Sequence, residues 1–213
     1  MKTMASFHKL AAAVVLLIAA MLPDRTAAQE VYMLDDNHTA VSIHTNTLYW
    51  LALSPNIGME LQTDMGLALQ LDYVGAWWNS NTRQHYFSNY GFQTELRYYI
   101  GSPGQRVPYT RHHVGLYMQL ATFDFEFGGT GYQCSSLERT WGIGAAYGYS
   151  IPVSRRWSLD LTAGIGWFQS KYDVYNPYDG QYIRTNTKRL RFFGPTRLEA
   201  SFVYHINFSN HGK

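Results

Sequence analysis

One cysteine in 213 residues, Cys134, excludes an internal disulfide framework. No apolar run reaches the roughly 18 residues that a membrane-spanning helix needs. Charged residues are scarce at 15%, and the formal net charge is only +2, which excludes a binding surface built on bulk basicity, as for nucleic acid. Prolines number only seven, so long stretches are free to pair as strands. What is abundant is aromatic side chain, at 16%, and glycine, with 18 copies.

The N-terminus reads as a targeting segment. Lys2 and Lys9 precede an apolar run from Leu10 to Met21, too short to cross a bilayer as a helix but suited to a signal peptide. Thr26-Ala27-Ala28 gives a cleavage site before Gln29. Removing residues 1–28 takes out Lys2, Lys9, Arg25 and Asp24, which leaves as many acidic as basic residues. The expected division is a signal peptide over 1–28, a short leader over 29–39, one β domain over 40–208 and a tail over 209–213.

The dominant pattern after that is period two. In Thr140–Tyr172, Trp141, Ile143, Ala145, Tyr147, Tyr149 and Ile151 alternate with Gly142, Gly144, Ala146, Gly148 and Ser150. After a break at Ile151–Arg156, Trp157, Leu159, Leu161, Ala163, Ile165 and Trp167 alternate with small or polar residues. Alternation of this kind marks strands with two unlike faces. The other segments are Ala40–Leu53, Ile57–Gln62, Gly66–Trp78, Asn89–Ile100, His112–Phe127 and Thr196–Phe208. In the first, Tyr49 and Leu51 favour one facing, Leu48 and Trp50 the other.

Eight strands, aromatics near both ends of the apolar faces, and a signal peptide predict an all-β, eight-stranded antiparallel transmembrane barrel of the outer-membrane type. An even count puts both termini on the periplasmic side. The connections Ser54–Asn56, Asn79–Ser88, Gly128–Glu138 and Asp173–Arg191 then face outward, and Thr63–Met65, Gly101–Arg111 and Pro152–Arg156 inward. Three of the four outer connections are long, the asymmetry such barrels have.

The opposite, polar faces collect Glu60, Gln62, Gln70, Asp72, Gln93, Glu95, Arg97, Asp160, Thr162, Arg197 and Glu199, with His44 and His205 as further candidates. An eight-stranded barrel is just wide enough for side chains to fill it, so these should pack as a plug. Glu60, Asp72, Glu95, Asp160 and Glu199 outnumber Arg97 and Arg197. Histidines, loop arginines, a protonated carboxyl or a different register must balance them. Asp72 and Glu95, on adjacent strands, are the one pair to weigh for acid–base chemistry. No Ser-His-Asp set falls at one rim. His112 and His113 face opposite ways and cannot chelate together, and His44 with His205 alone makes a weak metal site. No cofactor or metal is expected.

Two outward features are candidates for contact. Asp179-Gly180 is a hairpin signal, so the last two strands should project as a ribbon carrying Tyr175, Tyr178 and Tyr182. Lys188, Arg189 and Arg191, where that ribbon returns, are candidates to meet lipopolysaccharide phosphates. Cys134, among Gly, Ser and Thr, should be reachable from outside.

Leu53-Ser54-Pro55-Asn56-Ile57-Gly58-Met59-Glu60, Ala76-Trp77-Trp78, His113-Val114-Gly115-Leu116-Tyr117, Gly148-Tyr149-Ser150-Ile151-Pro152 and Phe193-Gly194-Pro195-Thr196 resemble the Bacteroidetes family catalogued as domain of unknown function 3575 (DUF3575). The resemblance runs over nearly all of the chain after the signal. It implies an outer-membrane β-barrel, and an accessory, surface-assembly role alongside fimbrial proteins. It supplies no catalytic residues. Ser209–Lys213 after Phe208 departs from the aromatic C-terminus usual in outer-membrane barrels. The expected function is therefore a non-enzymatic, structural or adhesive barrel in contact with outer-membrane lipid, lipopolysaccharide and envelope proteins. A barrel enzyme acting on envelope lipid, or a narrow pore, is the alternative.

Overall fold

The computed structural model describes residues 40–206 except 64, 81–84, 101–110, 155 and 179–180. The expected signal peptide, leader and tail, the connection 101–110 and the Asp179-Gly180 pair lie outside the described residues.

The described chain is almost entirely strand. Its elements are β1 (Ala40–Asn46), α1 (Thr47–Leu51), β2 (Asn56–Gln62), β3 (Leu67–Ser80), β4 (His85–Tyr99), β5 (Arg111–Phe127), β6 (Gly131–Cys134), β7 (Thr140–Pro152), β8 (Trp157–Tyr178) and β9 (Gln181–Ile206). All pairings are antiparallel. The order β1-β2-β3-β4-β5-β7-β8-β9 closes on itself, because β9 pairs with β1 from Val41↔Ile206 to Asn46↔Ser201. The ring is staggered. Followed partner by partner from Ser42 through Glu60, Gln70, Glu95, Tyr117, Gly144 and Gly166, the register reaches β9 at Gly194, whereas Ser42 itself pairs with His205. Closing a ring of tilted strands requires such an offset.

Strand ends run further than expected, with β4 starting at His85 and β9 at Gln181, inside the expected outer connections, and two elements differ in kind. The first strand stops at Asn46, not Leu53. The Asn46 side chain accepts from Leu48 N at 3.0 Å and caps α1, which explains why Leu48–Leu51 fit neither strand facing. The second is β6, a short strand within the Gly128–Glu138 connection. It pairs with β5 at Phe123↔Cys134 and with β8 at Gln133↔Asp173. It gives a ninth strand outside the ring's continuous order, and it ties the long β8–β9 ribbon to the far end of β5.

The core is inverted relative to a soluble sheet. Leu69, Leu71, Leu96, Leu116, Ile143, Leu161, Ile165 and Leu198 point outward and are exposed, Leu116 and Leu198 at 67%. Glu60, Glu95, Arg97, Asp160, Arg197 and Glu199 are buried inside, Glu95 at 0%. Both facts follow from period two once the ring is closed. The charged side of each strand has nowhere to point but inward.

Candidate functional site

The interior network starts from two rows in which a glycine separates two polar residues. His44 on β1 and Asp72 on β3 are both register partners of Gly58 on β2. Gly58 has no side chain, so His44 Nε2 reaches Asp72 Oδ1 at 2.6 Å over it. Any Cβ at 58 would collide with both groups. Likewise His113 on β5 and Thr162 on β8 flank Gly148 on β7 and meet over it at 3.1 Å.

Arg97 occupies the middle. It donates to Glu95 at 2.5 Å and to Glu60 at 2.9 Å, and lies 3.4 Å from Asp160 and 3.5 Å from Glu199. Arg197 donates to Glu95 at 2.6 Å and to Glu199 at 2.8 Å. The charge excess is thus handled by one histidine and by sharing. His44 and Gln70 hold Asp72, and the two guanidiniums are divided over the other four carboxylates. Tyr99 donates to Glu60 at 2.8 Å, and Ser150 and Thr162 each donate to Asp160 at 2.6 Å. The space left among these groups is about 10 Å³, the size of one water.

Above the network, toward α1, the interior opens into a cavity of about 240 Å³. Asn89, Gln93, Gln119, Phe168 and Tyr49 line it, and Asp72 and Glu199 form part of its floor. Gln93 bridges that floor, donating to Glu199 at 2.9 Å. The ring is therefore filled toward the end that carries Ala40 and Ile206, and forms a cup at the other.

All seven network residues expected from the sequence come together here. Asp72 and Glu95, weighed as an acid–base pair, do not pair. In register Asp72 faces Gln93 and Glu95 faces Gln70, and the two carboxylates are held by different bases, Asp72 by His44 and Glu95 by Arg97 and Arg197. His205 bonds Ser158 at 3.0 Å, while His44 bonds Asp72. Among the described residues no group of three or more His, Cys, Asp or Glu is placed to hold a metal ion. His113, fully buried against the Tyr99 ring at 5.1 Å, is a network member the sequence reading passed over. Its alternation with Val114 and Leu116 carried the signal.

On the outside, Arg189 and Arg191 share a face of β9, but Lys188 points the other way, so the expected trio is split. The residue beside Arg189 is Lys171 of β8. Tyr175 and Tyr182 lie on one face of the ribbon and are half-buried. Tyr178, on the other, is 72% exposed. Cys134 corrects an expectation. It is 0% exposed, and its thiol accepts from Thr140 Oγ1 at 3.1 Å and donates to the Ser136 carbonyl at 3.5 Å. β6 packs this thiol into the extension.

Beyond the apolar band, Asp173 accepts from Arg139 at 3.0 Å and from Thr187 at 2.5 Å, with Arg184 at 3.4 Å. The Arg139 hydrogen bond, then that of Thr187, holds its carboxyl down at about 2.

A family model described as "Protein of unknown function (DUF3575)" matches residues 13–206. The chain belongs to this family. No curated protein matches the chain. The DUF3575 match spans all nine strands, so the family region contains the ring, the interior network and the β6 extension together.

Proposed function

We propose that this DUF3575 protein is a small β-barrel of the outer membrane of a Gram-negative bacterium, with both termini periplasmic. In this reading it acts as a non-enzymatic accessory of the cell surface. The observation that carries it is the inverted core. Exposed Leu, Ile, Trp and Tyr on the outer face of the ring would cost solvation in water but suit lipid, and the charged residues inside are paired with one another.

The filled half argues for a plug over a pore, and the engagement of every network carboxylate argues for structure over proton transfer. The β8–β9 ribbon, buttressed by β6, is the part suited to contact fimbrial or other envelope proteins, with Tyr178 its most accessible ring. Fractionation of the envelope and gel mobility with and without boiling test the membrane assignment. The expected outcome is a heat-modifiable band in the outer-membrane fraction, and recovery in the soluble periplasm would refute it. Planar bilayers should record no sustained conductance.

A further inference from the structure

The outer faces of β8 and β9 form a ladder whose chemistry changes abruptly. Trp167 faces Phe193, both exposed. The next pair on the same face is Gln169↔Arg191, and the next is Lys171↔Arg189. These rungs lie between the two register irregularities, at Gly164/Ile165 and Val174/Tyr175, so the facing is continuous. One step further, Asp173 is already taken by Arg139, Thr187 and Arg184.

Lys171 and Arg189 are therefore like charges directly opposite one another. Such a pair holds its Cβ atoms about 4.5–5.5 Å apart and is destabilising by itself. Arg191 lies one same-face step away, about 7 Å along the strand. Among the described residues no ion pair joins any of the three to a carboxylate. All three are exposed. Three unneutralised cations next to an aromatic pair suit an anion with several oxygens, held where apolar surface gives way to polar surface.

We propose that Lys171, Arg189 and Arg191 form a clamp for the phosphate groups of a membrane lipid. The proposal rests on the membrane reading, because Trp167 and Phe193 fix its height relative to the apolar band. Lys188 is excluded from the clamp by its facing. Phosphate is the recognised group, since its tetrahedral oxygens can accept from an ammonium and two guanidiniums at once.

The test compares the full-length protein with a Lys171→Gln, Arg189→Gln, Arg191→Gln variant, both purified in neutral detergent. Heat-modifiability is recorded first and reports on the barrel alone. Without added lipid, the variant should unfold at the same temperature as wild type or higher, because repulsion has been removed. Added lipopolysaccharide should raise the wild-type midpoint and leave the variant's unchanged. The variant should also retain lipopolysaccharide at least about tenfold less well through detergent exchange. Enzymatically dephosphorylated lipopolysaccharide should raise neither midpoint. Equal gains for the two proteins, or a gain that survives dephosphorylation, would overturn the clamp. A gain of the same size with inorganic pyrophosphate alone would overturn the lipid as its source. A Lys188→Gln variant should respond to lipopolysaccharide like wild type, and loss of its response would equally overturn the assignment.

Discussion

His44 and Asp72 meet at 2.6 Å across Gly58, a residue that pairs with both of them and contributes no side chain. Gly58→Ala would place a methyl group between imidazole and carboxylate. The displaced Asp72 keeps only the amides of Gln70 and Gln93. A buried group that loses its partner costs about 1–3 kcal/mol. Urea unfolding in detergent should show a destabilisation of that order for Gly58→Ala. A midpoint equal to wild type would mean that the row can open without loss.

Leu161→Arg should be far worse than Gly142→Ala. Leu161 points outward from β8, 43% exposed, where an Arg in lipid costs about 2–4 kcal/mol at mid-depth. Gly142 points inward, and an added Cβ meets the Gln119 side chain at 2.8 Å and the Trp167 carbonyl at 3.2 Å, a local crowding that places no charge on the outer face. Folding yields into lipid vesicles should separate the two variants. Equal yields would mean that the outer face does not meet lipid.

Cys134 should resist a maleimide in the native protein and react after boiling, because β6 buries it completely. Orientation is read with new thiols in a Cys134→Ser background. Tyr178→Cys should label on intact cells with an impermeant reagent. Ser154→Cys, exposed at the opposite end of the ring, should label only once the outer membrane is breached. An exchange of the two patterns would reverse the orientation.

Asp173 ties the ribbon together through Arg139 and Thr187. Its folded-state value, near 2, lies below that of an ordinary carboxyl, so its contribution is present above the ordinary value and is lost as pH falls through the folded one. Protection of the β8–β9 ribbon around Asp173 against proteolysis or hydrogen exchange should be flat from neutral pH to about 4. It should then decline toward pH 2. Asp173→Asn should lower protection at neutral pH and remove the decline.

The sequence alone determined most of the ring strands and the facing of their inner and outer residues, because alternation is local and needs no partner, but it ran β1 on through α1 and missed β6. Glu60, Asp72, Glu95, Arg97, Asp160, Arg197 and Glu199 were legible as one interior set for that reason. Register was not legible. It is fixed by segments far apart in the chain, and only ring closure, with its stagger, decides which side chains share a height. Tertiary structure therefore brought His44 to Asp72 over Gly58, separated Asp72 from Glu95, and set Lys171 in place of Lys188 beside Arg189. It also created β6, whose four residues carry too short a pattern to read as a strand. They pair because β5 and β8 present free edges on either side, and that pairing buries Cys134.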